Sequence, residues 1–363
     1  MRVGIDATLL RPGRITGVER YATELICALA ARAADEIVLF TRPDVPQPVR
    51  GLAVEQHRAP VAARVLVDQF WLPFAARNAR VGLLHMPAFP APVAWRGRVV
   101  LTVHDAAPWL FPDTVSAGAR LYYRPLFPRS LRRASMVLTP SRAARADLVA
   151  TGLATPGRIR VIPNGVSQGF LDAARTATAG APYVLFVGTI EPRKNLGTLL
   201  AAFRLVLRER GTLDLVLAGR AGWGGLPKLS DLGSHVRHLG QVSDEELVCL
   251  YANASCLVLP SLYEGFGLPL LEAMAVGTPA VASDLPALRE LGGDTVRYAD
   301  PHDPAALARA IKACLADVEA THMLAESARG RAQGYRWGRH ADAVLAIYRE
   351  VLGQHGPASQ GVA

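Results

Sequence analysis

Residues 255–260 read Ser-Cys-Leu-Val-Leu-Pro, and three residues later the chain continues Glu264-Gly-Phe-Gly-Leu-Pro-Leu-Leu-Glu272. The first run has the length and branching of a buried strand. Pro269 suits the first turn of a helix running through Leu270, Leu271 and Met274 to Gly277. Strand, glycine turn and helix are therefore expected in that order. At such a helix start the N–H groups of about Phe266 to Leu268 lack intrahelical partners, which suits a phosphate. Gly267, with Gly265, lets the backbone come close. Glu264 falls just outside the helix and Glu272 about one turn inside it. A carboxylate repels phosphate but accepts from neighbouring hydroxyls, so one would meet a sugar and the other a ribose. The spacing alone carries nothing. With 14 Glu in 363 residues, a pair eight apart arises by chance roughly 0.5 times per chain. The glycine-proline insert and the strand-to-helix setting carry the specificity.

Outward from this segment, apolar runs alternate with helical periods. Val3–Ala7, Ile37–Thr41, Leu83–Met86, Val99–His104, Met136–Thr139 and Arg160–Ile162 read as strands, with helices at Val18–Ala33, Ser141–Ala150 and within 64–80. A second set follows from Tyr183–Val187 to Thr295–Tyr298. It includes a Ser243/Glu246 capping box. This βα order predicts an α/β chain of two largely parallel sheets, with ligands at the carboxyl ends of the strands in an intervening cleft. The boundaries expected are a first domain over residues 1–170, a linker over 171–182 where periodicity fails, and a second domain over 183–335. The Gly-, Ser- and Gln-rich stretch 355–363 reads as disordered.

At 38.8 kDa and half hydrophobic, the chain can fill two cores. No uninterrupted apolar stretch approaches ~18 residues, and Asp6 sits where a signal peptide wants its apolar region. A cytoplasmic protein is expected, at most peripheral to the inner face of the membrane. Cys27, Cys249, Cys256 and Cys314 include no CxxC pair and read as buried free thiols. The net charge of +9 is uneven: residues 1–175 hold 23 Arg against 12 Asp and Glu, and the remainder is slightly acidic. Arg120, Arg124, Arg129, Arg132 and Arg133 interleave with Leu121, Tyr122, Tyr123, Leu126 and Phe127. That suits contact with anionic lipid or a phosphate-bearing acceptor, and equally a solvated arginine face over a packed aromatic core. Pro125 and Pro128 are expected to break any single long helix there.

After the strand Tyr183–Val187 comes Gly188-Thr-Ile-Glu-Pro-Arg193-Lys194-Asn195. Two adjacent cations at a strand's end form a phosphate clamp, Arg as a bidentate fork and Lys as a point charge. Each charge-assisted bond contributes ~1.5–3 kcal/mol, against ~0.3–1 for the helix terminus at Leu268. A solvated turn before an Asn cap is the alternative. Near the start, Gly17-Val-Glu19-Arg20-Tyr links the first strand to the first helix, and Gly17 would admit a close phosphate or sugar. His104-Asp105 ends the strand Val99–Val103. No Asp-x-Asp triplet occurs, so the commonest metal-diphosphate arrangement has no sequence counterpart and no metal or other cofactor is expected.

The Glu264–Glu272 segment resembles the E-x7-E motif of the retaining glycosyltransferases of family 4, which have the GT-B fold of two Rossmann-like domains facing a cleft. The resemblance covers nearly all of the chain. The Gly17-Val-Glu-Arg-Tyr loop is similar to that of bacterial mannosyl- and rhamnosyltransferases of surface-polysaccharide assembly. The resemblance implies donor binding by Gly17, Phe266, Gly267, Leu268 and Glu272, and chemistry by His104, Glu264, Arg193 and Lys194. His104 takes the family's sugar-contacting histidine, Asp105 would orient it or meet the acceptor, and Glu19 and Arg20 would face the acceptor. Many members carry an Arg directly after the glycine, where this chain has Thr189. Helix 336–354 would cross back to the first domain.

The implied reaction is metal-independent transfer with retention, Glu264 orienting the sugar rather than forming a covalent glycosyl-enzyme. The implied donor is GDP-mannose, with UDP- or dTDP-sugars (glucosyl, rhamnosyl) as alternatives, and the acceptor a glycan or polyprenyl-diphosphate-linked glycan. A nucleotide-sugar epimerase is a more distant alternative. A non-catalytic nucleic-acid binder would explain the basic half only, and no nucleic-acid partner is expected. A dehydrogenase is disfavoured, because no Gly-x-Gly-x-x-Gly follows the first strand.

Overall fold

The computed structural model describes residues 1–13, 16–45, 49–61, 63–111, 117–173, 175, 182–222, 225 and 230–353. It divides into two compact units. Residues 1–165 and 337–363 make the first, and residues 166–336 the second.

The first unit runs β1 (Val3–Asp6), α1 (Gly17–Ala33), β2 (Ile37–Thr41), β3 (Glu55–Arg58), α2 (Arg64–Leu66), a π turn over Val67–Trp71, α3 (Leu72–Asn78), β4 (Leu83–Met86), β5 (Arg98–Thr102), α4 (Ala107–Leu110), α5 (Ala117–Arg133), β6 (Met136–Thr139), α6 (Arg142–Ala150) and β7 (Ile159–Val161). Its strands form one parallel sheet in the order β3-β2-β1-β4-β5-β6-β7. Helices cover both faces, so Val3, Ile5, Leu83 and Val100 are buried on one side and Phe40, Leu84, Val99 and Leu101 on the other. Burial on both faces is why these strands read as unbroken apolar runs. β3 escaped the reading because Glu55-Gln-His-Arg is a polar, half-exposed edge strand.

The second unit runs α7 (Gln168–Asp172), β8 (Tyr183–Val187), α8 (Leu196–Leu207), β9 (Asp214–Ala218), β10 (Val236–Gly240), α9 (Asp244–Asn253), β11 (Cys256–Leu259), α10 (Leu268–Val276), β12 (Ala280–Ser283), α11 (Pro286–Gly292), β13 (Arg297–Ala299), α12 (Pro304–Ala316) and α13 (Val318–Ala332). Its sheet is parallel in the order β10-β9-β8-β11-β12-β13. Ser243 and Glu246 form the expected capping box at α9. α13 gave little periodic signal because its buried stripe is Thr321, Ala325, Ala328 and Ala332, small side chains that let it pack closely on α10. α14 (Trp337–Leu352) returns to the first unit, where Trp337, Ala341, Val344 and Tyr348 share a core with α1.

Three local expectations change. The units divide at Gly165/Val166, ahead of the linker expected at 171–182, because Phe170 and Leu171 of α7 are buried in the second core, Phe170 edge-on to Tyr251. Most of that linker and the tail at 355–363 lie outside the described residues. α5 continues through Pro125 and Pro128. Burial of Phe127 and Leu131 in the core offsets the backbone bonds the prolines cannot make. Of the four cysteines, Cys256 and Cys314 are buried, but Cys27 is half-buried and α9 turns Cys249 to solvent.

Candidate functional site

In each sheet the strand order reverses beside its first strand, between β1 and β4 and between β8 and β11. Loops that leave such a reversal in opposite directions open a crevice at the carboxyl ends of the strands. The residues singled out in sequence lie after β8 and β11, at the second reversal, and in the first unit at the start of α1 and after β5, the strand next to β4.

In the second unit, the chain leaving β8 makes a short 3-10 turn, Pro192–Lys194, and passes Asn195 in the left-handed region (φ 56°) into α8. Asn195 Nδ2 donates to the carbonyls of Pro260 and Pro301, pinning this loop to the end of β11. There Lys194 Nζ donates to Glu264 Oε1 at 2.5 Å, and Ser261 Oγ donates to the same oxygen at 2.7 Å. Arg193 reaches Glu264 Oε2 at 3.5 Å while donating to the Tyr263 carbonyl and to Glu191 Oε1. Glu264 and Lys194 are both buried. Burial pushes the Glu264 carboxyl up, but the charges of Lys194 and Arg193 and the hydrogen bonds from Lys194 and Ser261 more than reverse it. The carboxyl lies below its ordinary range. An anion held this way is a poor nucleophile and a good acceptor for hydroxyls. Lys194 has three N–H donors, one of which serves Glu264, so the ammonium can hold the carboxylate and a phosphate oxygen together.

α10 starts as read. Gly267 is its N-cap at φ 101°, Phe266 is buried just before it, and Leu268 and Pro269 open the helix. A side chain at Gly267 would be strained by that φ, and its Cβ would lie 2.5 Å from Leu288 Cδ2. Glu272 is buried in the second turn, where its Oε2 accepts from Tyr251 of α9 at 2.9 Å. The structure thus joins Arg193, Lys194 and Glu264 into one cluster beside the glycine-opened helix start. It fixes Glu272 through a different partner. Ser261 and Tyr251 were not singled out in sequence, and Asn195, next to Lys194, stood there only as a helix cap; Ser261 lies three residues before Glu264.

In the first unit, Thr8, Arg11, Thr16, Glu19, Arg64, His104 and Asp105, with neighbouring apolar residues, line a pocket of about 250 Å³. His104 follows β5 and is half-buried. Its Nε2 lies 2.9 Å from the Pro87 carbonyl, and Tyr21 packs edge-on at 4.6 Å. A carbonyl only accepts, so Nε2 carries the proton and Nδ1 keeps its lone pair. Burial lowers the His104 pKa against the Pro87 bond and the Asp105 charge. The imidazole is therefore a neutral acceptor suited to a sugar hydroxyl. The Pro87 carbonyl is what orients it, since Asp105 Oδ1 accepts from Ala107 N–H at the start of α4.

Gly17 is the first residue of α1. The left-handed glycine of that loop is Gly13, at φ 65°. Glu19 is buried and accepts from Thr16 N–H at 2.9 Å, capping α1 as it walls the pocket. Arg20, on the same turn, is half-buried and is not part of that wall. Below the pocket, Thr8 donates to Asp6 at 2.6 Å and faces Asp68 at 3.3 Å, and Arg64 and Tyr122 also reach Asp68. Burial first, then the Asp68 charge, raises Asp6 to about 7. Asp68 is raised by burial too. Among the described residues no group of three or more His, Cys, Asp or Glu is placed to hold a metal ion. None of the described helices is long and apolar enough to cross a membrane.

Residues 15–169 match Glycosyltransferase Family 4, and residues 170–331 match Glycosyl transferases group 1. The O-antigen chain mannosyltransferase B of Escherichia coli is 30% identical over 367 residues, covering 92% of this chain and 96% of that protein. A glycogen synthase of Mycobacterium tuberculosis is 28% identical over 96% of this chain and 94% of its own length. Among solved structures, sucrose-phosphate synthase from Thermosynechococcus elongatus superimposes with a TM-score of 0.78 at 24% identity, over 98% of this chain and 100% of that one.

Proposed function

The chain belongs to the family 4 glycosyltransferases with the GT-B fold, and we propose that it transfers mannose from GDP-mannose, with retention and without a metal, to a glycan in bacterial surface-polysaccharide synthesis. The observation that carries the donor half is the Arg193–Lys194–Glu264 cluster beside the α10 start. It offers cations and amides to a diphosphate and an acceptor carboxylate to sugar hydroxyls, with Glu272 for the ribose. Mannose and the surface-polysaccharide setting are supported by the O-antigen mannosyltransferase relative. A different sugar on a UDP or dTDP carrier is the second reading, since a glycogen synthase, whose product is not a mannan, matches over nearly the same length.

In this reading the sugar–phosphate bond loosens to an oxocarbenium-like state while an acceptor hydroxyl attacks the same face. The leaving phosphate takes the hydroxyl proton. Arg193, Lys194 and the helix amides stabilise the charge that develops on it, an electrostatic contribution that grows as water is excluded. Glu264 orients the sugar, and the neutral His104 accepts from one of its hydroxyls. The acceptor is a glycan on a polyprenyl diphosphate, so the enzyme works in the cytoplasm at the inner membrane face. Thermal shifts with a panel of GDP-, UDP- and dTDP-sugars test the donor. A melting response confined to the UDP set would refute GDP-mannose. An epimerised donor without an acceptor, in place of released nucleoside diphosphate with one, would refute transfer.

A further inference from the structure

Between residues 58 and 140 the chain carries 11 Arg and three Asp, with neither Lys nor Glu. That segment accounts for +8 of the net +9 charge. It also holds most of the large apolar side chains that the described residues leave in solvent. Leu66, Phe70 and Phe74 recur every fourth residue along α2, the π turn and α3, at 53%, 69% and 62% exposure. Within that same stretch Val67, Leu72, Ala75 and Ala76 reach inward. The π turn, closed by Leu72 N–H to the Val67 carbonyl, sits just before Pro73, which has no N–H to give.

Three neighbouring elements add to this row. Leu121 of α5 is 80% exposed, and the adjacent Tyr122 hydroxyl ties α5 to Asp68 in the π turn. Val93 is exposed and its N–H donates to Gln69 of the same turn. Trp109 of α4 stacks on Phe127 of α5. Arg129, Arg132 and Arg133 border Val93, and Arg77 and Arg124 are exposed beside Phe74 and Leu121. Protruding aromatic and aliphatic side chains among arginines, nearly free of acid, match the boundary between acyl chains and anionic headgroups. A second copy fits poorly, because a self-mated face would bring two arginine rims of one sign together.

We propose that this face of the first unit, α2 through α3 with α4 and α5, docks on an anionic lipid bilayer. The pocket that holds His104 is walled by Arg64, which begins α2, and by Pro108 in α4. Docking therefore sets its mouth at headgroup level, where a lipid diphosphate carries its glycan. That last step rests on the transferase reading above, but the lipid contact does not.

The test is co-sedimentation of the full chain with phosphatidylcholine vesicles, with and without phosphatidylglycerol, for wild type, F70S/F74S and L121S. The nucleotide thermal shift serves as the check on folding. Wild type is expected to sediment with the anionic vesicles and far less with the neutral ones. F70S/F74S should weaken this by roughly tenfold or more, and L121S in the same direction. Wild type remaining in the supernatant, or variants that bind unchanged, would overturn the proposal. So would a wild-type dimer that the variants dissociate without any vesicle binding. Vesicle binding by a chain that no sugar nucleotide stabilises would uphold the face and sink the transferase reading instead.

Discussion

Replacing Lys194 by Met tests what the cationic loop is for, because the structure gives that ammonium two tasks. It neutralises Glu264 at 2.5 Å in a buried setting, and it stands ready for a diphosphate. Removing one partner of a buried ion pair costs about 3–5 kcal/mol, since the other charge is left behind. Arg193, at 3.5 Å from the far carboxylate oxygen and already engaged with Glu191 and Tyr263, offsets part of that. At about 2–4 °C per kcal/mol for a unit of this size, the second unit should melt roughly 6–20 °C lower. Loss of a charge-assisted bond of about 1.5–3 kcal/mol should separately weaken nucleoside diphosphate binding by roughly 10–150-fold. Calorimetry on Lys194→Met, Glu264→Gln and the double variant separates the two tasks. The double variant has no orphaned carboxylate, so it should regain most of the melting temperature while its nucleotide affinity stays low. If the double variant recovers both, Lys194 serves only Glu264, and the clamp reading is wrong.

Three further outcomes are expected. His104→Ala should slow transfer by about tenfold, the loss of one hydrogen bond to the sugar, with nucleotide affinity unchanged by calorimetry; an equal loss in both would place His104 in structure rather than in transfer. Gly267→Ala should cost about 1–3 kcal/mol from its φ alone, more from the Leu288 contact, and a denaturant midpoint matching wild type would contradict the helix-start geometry. Asp6→Asn should stabilise the first unit at alkaline pH. Asp6 keeps its proton to about 7 in the folded chain, against 3.8 as its ordinary value, so its contribution is full below pH ~4 and is lost as pH rises through ~7. The gap in stability between variant and wild type should open over that window towards an upper bound on the order of 4 kcal/mol, and a gap constant from pH 4 to 8 would refute the assignment.

The sheets were legible because parallel strands buried on both faces read as apolar runs, and β3 was not because an edge strand need not be apolar. The site was legible as residue types and less so as contacts. Arg193 and Lys194 stood out as adjacent cations and Glu264 as a turn carboxylate, yet they lie 70 residues apart and only folding shows them to be partners. Gly17 and Glu19 show the opposite limit. Thr16-Gly-Val-Glu19 has the spacing of a capping box, so a local structural use of Glu19 was readable, whereas the pocket it also walls depends on β5 and β4 arriving beside it. At α5, two prolines forecast a break that tertiary burial of Phe127 and Leu131 overrode.

One further difference between the units emerges from their common strand order. At the reversal in the second unit, the loop after β8 supplies cations and the helix after β11 presents unpaired amides, a constellation that favours anions. At the reversal in the first unit, β1 ends in Asp6, which shares Thr8 with Asp68, and the pocket beside it is lined by Glu19 and Asp105 together with Arg11 and Arg64, so a polyhydroxyl ligand would find both acceptors and donors there. The neutral His104 adds one more acceptor and no charge. Equivalent crevices built on one topology have thus taken different polar linings, adjacent cations beside a helix start in one and mixed carboxylates and arginines around a neutral imidazole in the other. That division is what a transferase needs when its donor is a sugar diphosphate and its acceptor is a hydroxyl.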